Sequence, residues 1–411
     1  MKPYIKNIAL TVLCSSVLFL TACGGDDDGK TIIEFGPAKT FKVDSDVLAV
    51  VDRHDVFSYP MTSVTGKSIT ATTLVFTPKG TPPAGGWPIV VWAHGTTGAA
   101  DKCAPSRLQL ENPEKALIIG LVEKGYAVIA PDYEGLGNDN VPHPYLHLTS
   151  AANSLLYAVS EARKFYGDVL GREWSVIGWS QGGHAALAAA EYQKALTGYD
   201  FKGTVAIAPA SYLAETLEYG MSVANTYAAV PNGAGLPTAR QIAGTLYGYA
   251  AIVSSGIKAA KPSFNYNQSF LDTKVNLAKY AETECSPQVA EKFREDIDAF
   301  MGPPSNGTFA NYKALQEDFL FDTDVDEYLA NNIPAQKEIL KKVYIYQGTA
   351  DTTVPAQITV DYLLPDLEKV MPDPLNDLIF VPINNATHQT IVTDYTEQLI
   401  NTVDSLMTAT N

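Results

Sequence analysis

Positive charge is scarce in this chain: 29 Lys and Arg stand against 45 Asp and Glu, a formal net charge of −16 at pH 7. No Lys/Arg cluster and no basic stretch interleaved with aromatics interrupts that balance, so nucleic acid is not an expected partner. The same negative field would not draw the protein to an anionic bilayer, and any membrane attachment has to come from something other than charge. Repeats and low-complexity blocks are missing beyond the first thirty residues. With 46% hydrophobic residues, 30 Gly and 25 Pro in 411 residues, disordered, collagen-like and coiled-coil classes are excluded. Metal-ligand patterns are missing too. His143 and His147 form an i, i+4 pair, but Pro144 interrupts it and no H-E-x-x-H or acidic third ligand accompanies it. Neither a metal nor another cofactor is expected.

The N-terminus supplies an attachment that charge does not. Lys2 and Lys6 form a basic start, residues 8–20 an apolar run too short to span a bilayer, and Leu20-Thr21-Ala22-Cys23 resembles the bacterial lipobox, in which the cysteine is lipid-modified and becomes the new N-terminus. Residues 1–22 are therefore read as a lipoprotein signal peptide. Residues 23–40 are read as a lipidated flexible tether, polar and Gly-rich around Asp26, Asp27 and Asp28. Gly24 after the cysteine, by resemblance to Gram-negative lipoproteins, implies the outer membrane, facing the periplasm or the outside. Of four cysteines, Cys14 leaves with the signal and Cys23 carries lipid. Cys103 and Cys285 remain, as one disulfide in an oxidising compartment or as two separate buried thiols.

Continuous apolar runs at 70–76, 88–93, 127–130, 174–177, 204–208, 343–347 and 378–382 read as strands buried on both faces. Helical runs at 113–124, 149–165, 181–197, 356–370 and 388–407 lie between them. This alternation predicts an α/β fold, a mostly parallel sheet flanked by helices. Between 212 and 328 the rhythm breaks into Tyr-, Ala-, Gly- and Pro-dense chain with no recognisable buried strand, which predicts a helical cap inserted into a core of 41–211 and 329–411. Tyr212, Tyr219, Tyr227, Tyr247, Tyr249, Tyr266 and Phe270 within it either line a groove or simply pack.

The chemistry sits in Gly178-Trp179-Ser180-Gln181-Gly182, between the strand 174–177 and an Ala-rich helix. A serine on so sharp a turn occupies strained backbone, and the flanking glycines keep side chains from colliding there, so its hydroxyl stands clear above the sheet. A hydroxyl is a poor nucleophile at neutral pH. A histidine must take its proton, and a carboxylate must hold that histidine in the right tautomer. In α/β folds of this kind acid and base follow the serine in chain order on loops leaving strand ends. His388, after the strand 378–382, is the expected base, because His184 is held on the helix beside the serine. Asp351, after the strand 343–347, is the expected acid; Asp322, Asp324 and Asp326 follow no strand and read as a solvated acidic turn. The oxyanion needs two amide donors. Gln181 N–H supplies one, and the loop His94-Gly95-Thr96-Thr97-Gly98 the other, from Thr96 or, failing that, Thr97. His94 and Asp132 are expected to brace the neighbouring loops through hydrogen bonds.

The segments Trp92-Ala93-His94-Gly95-Thr96-Thr97-Gly98, Ala130-Pro131-Asp132-Tyr133-Glu134-Gly135-Leu136-Gly137 with His143-Pro144-Tyr145, and Gly178-Trp179-Ser180-Gln181-Gly182-Gly183 together resemble the secretory lipase family, the yeast lipase A-type enzymes and their bacterial relatives. The resemblance runs from about Tyr59 to the C-terminus. It implies an α/β-hydrolase core, a helical cap after the strand that follows the serine's helix, a triad of Ser180, Asp351 and His388, ester hydrolysis without cofactor, and a core-to-cap bridge of Cys103 with Cys285. The expected function is thus a lipid-anchored carboxylic ester hydrolase, esterase or lipase, acting on a small-molecule or lipid ester. An acyltransferase on the same triad and a non-catalytic ligand-binding lipoprotein are the alternatives.

Overall fold

A computed structural model describes residues 35–138 and 140–409. The signal peptide, the lipid site at Cys23 and the first part of the tether lie outside the described residues.

Nine strands form one sheet: β1 (Gly36–Thr40), β2 (Val51–Thr62), β3 (Ser68–Pro78), β4 (Trp87–Ala93), β5 (Ala127–Pro131), β6 (Leu170–Trp179), β7 (Asp200–Ile207), β8 (Lys342–Gly348) and β9 (Leu378–Ile383). They lie in the order β1-β2-β3-β5-β4-β6-β7-β8-β9. The β1–β2, β2–β3 and β3–β5 pairs are antiparallel; every pair from β5–β4 to β8–β9 is parallel. The expected mostly parallel sheet flanked by helices is therefore the observed architecture, an α/β-hydrolase fold.

The parallel strands are buried on both faces because their alternate side chains feed two different cores. Ile89, Val91 and Ala93 of β4 pack with α2 (Leu148–Tyr166) and α3 (Gln181–Tyr192) on one side. Val90 and Trp92 pack on the other with α1 (Glu114–Glu123) and a C-terminal helix, Thr396–Thr408. Parallel strands need a crossover, which α1, α2 and α3 provide, while the helix Thr396–Thr408 follows the last strand and only covers the sheet.

Between β7 and β8 the described elements are helical: α4 (Leu213–Ala228), α5 (Leu236–Ala260), α6 (Ser286–Met301) and α7 (Thr323–Asn331), with short turns between them. They enclose a third core around Tyr247, Phe270, Phe293 and Ile297. Cys103 of the core and Cys285, immediately before α6, form a disulfide with Cα atoms 5.5 Å apart. Gly98 makes the close approach possible, since a Cβ there would sit 3.1 Å from Cys103 Sγ and its φ of +140° disfavours a side chain in any case.

Several details differ from the sequence expectation or decide between its alternatives. Gly36–Thr40 is strand rather than tether, paired with β2 although four of its five side chains are exposed. The cap boundary drawn at 328 falls inside α7. The acidic run is the start of that helix: Asp322 caps it by accepting from Asp324 N–H and Val325 N–H, and Asp324 pairs with Lys261. Negative charge at a helix N-terminus is favourable, so the cluster has a structural role. The helix expected over 388–407 is broken, running Thr390–Thr393 and then Thr396–Thr408, which leaves His388 on a loop. Finally, the seven aromatics separate. Tyr249 faces the cavity described below, Tyr247, Tyr266 and Phe270 are buried packing, Tyr219 and Tyr227 are exposed, and Tyr212 bonds Asp366.

The bridge closes a loop of 182 residues. Replacing Cys103 and Cys285 together by serine is expected to lower stability by about 3–5 kcal/mol, through the regained freedom of the unfolded chain. Urea unfolding of the double variant checks it; a midpoint equal to that of the parent, at equal slope, would show that the bridge contributes nothing.

Candidate active site

Ser180 stands at the turn from β6 into α3 with φ 58° and ψ −115°, a conformation few non-glycine residues adopt. The surrounding glycines show what forces it. A Cβ on Gly178 would fall 2.0 Å from Gly182 O, and one on Gly182 would fall 1.8 Å from Ala93 O. The turn is packed backbone to backbone against the end of β4, and only glycine fits at either side. Ser180 N–H donates to Ile207 O and Ala210 N–H donates to Ser180 O, which ties the turn to the end of β7 as well. A strained serine persists because its neighbours over-determine it.

Asp351 and His388 leave the carboxyl ends of β8 and β9. The two loops are joined: Ala350 N–H donates to Ala386 O, and a Cβ on Gly348 would meet that same carbonyl at 2.3 Å. His388 Nδ1–H donates to Asp351 Oδ2 at 2.7 Å, while Asp351 Oδ1 accepts from Thr353 N–H and Val354 N–H at 2.8 and 2.9 Å. The carboxylate is fully buried, its hydrogen bonds offsetting the desolvation of the charge. With a proton held on Nδ1, Nε2 of His388 is left as a base. The pair lies beside the serine turn: the Trp179 ring is 5.2 Å from the His388 imidazole, and Trp179 Nε1–H donates to His388 O at 3.0 Å. Ser180 lines one cavity with Thr353 and Val354, the residues two and three past Asp351.

Gln181 is the first residue of α3, so its N–H has no intrahelical acceptor. Among the described residues neither it nor the N–H of Thr96 or Thr97 donates to a protein acceptor. The loop bearing the two threonines is pinned to the cap: Ser286 Oγ donates to Thr96 O and Ser286 N–H to Thr97 O. Thr96 Oγ1 also meets Tyr145 Oη at 2.8 Å, whereas Thr97 Oγ1 is buried without a partner. Three amides are thus left without a protein acceptor, one directly after the serine and two on the loop that follows β4, and Thr96 has the more fully braced side chain of the two loop residues.

The other histidines have structural partners. His94 Nδ1 meets Gly95 O at 2.7 Å, its ring lies 4.3 Å from that of Tyr133, and burial pushes its pKa down to about 4. His147 Nδ1 accepts from Ser150 N–H at the start of α2, and His184 Nε2–H donates to Asn332 O. Asp132 accepts from Thr72 Oγ1 and Ser106 N–H, burial raising its pKa to about 6 against those bonds. No group of three or more His, Cys, Asp or Glu suited to a metal ion occurs among the described residues. The sequence reading missed the side chain of Gln181, which is buried and bonded to His143. Their segments both carried the family resemblance, but nothing in either marks the contact.

Next to Ser180 opens a cavity walled by Leu213, Leu217, Leu246, Val253, Ile257 and other apolar groups of the cap, with Tyr145 and Tyr249 as its phenols. A model of the Alpha/beta hydrolase family matches residues 90–388, from β4 through the histidine. The chain belongs to the alpha/beta hydrolase family. Among solved structures this family member is similar to Candida antarctica lipase A in its closed state, at 16% identity with a TM-score of 0.66 over 90% of this chain and 82% of that one. It is also similar to the rice cell wall degrading esterase LipA of Xanthomonas oryzae, at 18% identity with a TM-score of 0.59 over 85% and 91% of the two chains. At such identities the likeness is one of fold. No protein of curated function shows significant sequence similarity to the chain.

Proposed function

We propose that this hydrolase cleaves carboxylic esters through a Ser180–His388–Asp351 triad and an acyl-enzyme. The observation that carries the reading is a strained, glycine-flanked serine that lines an apolar cavity, with a carboxylate-bound histidine held against the neighbouring Trp179. Ser180 Oγ attacks the ester carbonyl carbon while its proton passes to His388 Nε2. The tetrahedral oxyanion accepts from Gln181 N–H and Thr96 N–H. His388 returns the proton to the leaving alcohol oxygen as the C–O bond breaks, leaving an acyl group on Ser180. Water then attacks the acyl carbon, His388 takes its proton, and the acid departs as that proton returns to Ser180 Oγ.

The cavity's walls favour an acyl chain as the group held in it. Each buried methylene contributes about 0.8 kcal/mol, about three- to fourfold in kcat/KM. Across nitrophenyl esters from acetate to palmitate, kcat/KM is therefore expected to rise from acetate into the medium chain lengths, with Ser180→Ala as the blank. A maximum at acetate would make the cavity irrelevant to the acyl group. No turnover on any ester would overturn the ester reading and favour a transferase or a binding protein.

The lipobox supports the further proposal that the enzyme is held at the bacterial outer membrane through lipid on Cys23. A Cys23→Ser variant should then leave the membrane fraction; its retention there would overturn the anchor.

A further inference from the structure

The buried face of α3 carries a polar contact that the triad does not use. Gln181 is 4% exposed and its Nε2 lies 3.0 Å from His143 Nε2. His143, also buried, has its Nδ1 2.6 Å from Glu134 O. A carbonyl can only accept, so Nδ1 carries the proton and Nε2 is an acceptor, which in turn requires the NH₂ end of the Gln181 amide to face it. The relay is anchored further back. Glu134 N–H donates to Ser154 Oγ, and the Glu134 carboxylate accepts from Val64 N–H and Ser150 Oγ. The His143 ring stacks near-parallel to that of Tyr133 at 6.2 Å and meets Tyr145 edge-on at 6.0 Å. Gly135 permits the approach, since a Cβ there would fall 2.6 Å from His143 N. Burial also pushes the pKa of His143 down to about 4, so the imidazole is neutral at ordinary pH.

We infer that His143 is a positioning residue for the oxyanion hole: by accepting from the Gln181 side chain it fixes the first residue of α3 and hence the direction of the Gln181 N–H. The inference rests on the proposed ester hydrolysis, because it assigns His143 a role through that amide. Gln181 N–H has no acceptor within α3 and Ser180 supplies no capping side chain, so no bond within the helix fixes the direction of that amide. A side-chain anchor on the far side of the turn removes that freedom. Preorganised donors act only if they already point where the charge develops, and loss of one costs about 10²–10³ in kcat. Loosening one without deleting it is expected to cost a part of that, about 10–100-fold.

Two substitutions separate this role from mere packing. His143→Gln can place an acceptor near the position of Nε2, keeping the bond to Gln181. His143→Asn can keep the donor to Glu134 O but does not reach Gln181. His143→Asn and Gln181→Met are each expected to lower kcat on nitrophenyl butyrate about 10–100-fold with KM changed less than threefold, while His143→Gln stays within about fivefold of the parent. A phenylboronic acid, whose tetrahedral adduct on Ser180 needs the oxyanion donors, should lose affinity in proportion to kcat. The double variant that combines His143→Asn with Gln181→Met should be no slower than the slower single variant, since both changes break one contact. Thermal unfolding of each variant identifies any that fails to fold, and Gln181→Met then tests the contact from its other side. Parent-like kcat in His143→Asn and Gln181→Met, equal losses in His143→Gln and His143→Asn, or multiplying losses in the double variant would overturn the inference. Ser180→Ala run alongside keeps the two claims apart: a slow His143→Asn with an active Ser180→Ala would sink the triad itself, whereas a dead Ser180→Ala with parent-like His143→Asn would sink only the positioning role.

Discussion

Ser180→Ala is expected to lower kcat for ester hydrolysis about 10⁶-fold while leaving the fold intact. The serine contributes no hydrogen bond from its Oγ to another protein group among the described residues, and the backbone bonds that hold the turn, Ser180 N–H to Ile207 O and Ala210 N–H to Ser180 O, do not involve its side chain. Alanine is about as tolerant of φ 58° as serine, so Gly178 and Gly182 should keep the turn in place. What is lost is the covalent route. A residual rate about 10³–10⁴ above that of water should remain if the amides of Gln181 and Thr96 are the oxyanion donors proposed above, since the substitution leaves both in place. Single-turnover hydrolysis with purified variant, checked by circular dichroism and by the absence of labelling with a fluorophosphonate, measures both parts. Turnover within tenfold of the parent would remove Ser180 from the mechanism.

Asp351→Asn should cost about 10⁴ in kcat with little change in stability or KM, and the hydrogen bonds say why. Asp351 Oδ1 accepts from two backbone amides, Thr353 N–H and Val354 N–H, so the asparagine oxygen must stay at that end. Its NH₂ then faces His388 Nδ1, which has to become the acceptor. The ring proton moves to Nε2, and a protonated Nε2 can no longer take the serine's proton. The imidazolium that forms in the transition state also loses its counter-charge. Asp351→Ala removes the carboxylate without imposing the wrong tautomer, so it should be no worse than Asp351→Asn. Rates for the two variants after active-site titration decide the matter; an Asp351→Asn enzyme retaining a tenth of parent activity would mean that the tautomer is not set from this side.

The parts of the fold legible in sequence were those whose pattern is local. β4, β5, β6 and β8 are buried on both faces and read as continuous apolar runs. β1 and β2 escaped because they lie at the antiparallel edge, where one face or both are exposed: Gly36–Thr40 contains no large apolar residue, and Val51–Thr62 carries Asp52, Arg53, Asp55 and Pro60. Nothing local distinguishes such segments from a linker, and only the pairing of β1 with β2 and of β2 with β3 makes them strand. The acidic run at 322–326 was misread for a related reason. A capping aspartate and a solvated turn have the same composition, and the difference lies in whether a helix follows.

The serine turn is written into the chain locally, because strand, glycine, serine, glycine and helix are consecutive and each constrains its neighbour. Chain order also singled out His388 and Asp351 as candidates, and two leftover cysteines already suggested the bridge. That Asp351 and His388 meet at 2.7 Å is a matter of tertiary structure, since 37 residues and a whole strand separate them. So is the choice of which aromatics face the cavity: a helix presents its side chains all round, and Tyr247 and Tyr249, two residues apart, point to opposite fates, one into the cap's core and one toward Ser180. The Gln181–His143 contact belongs to the same class. They are 38 positions apart, and a hydrogen bond across packed segments depends on where both backbones go, which no local pattern encodes.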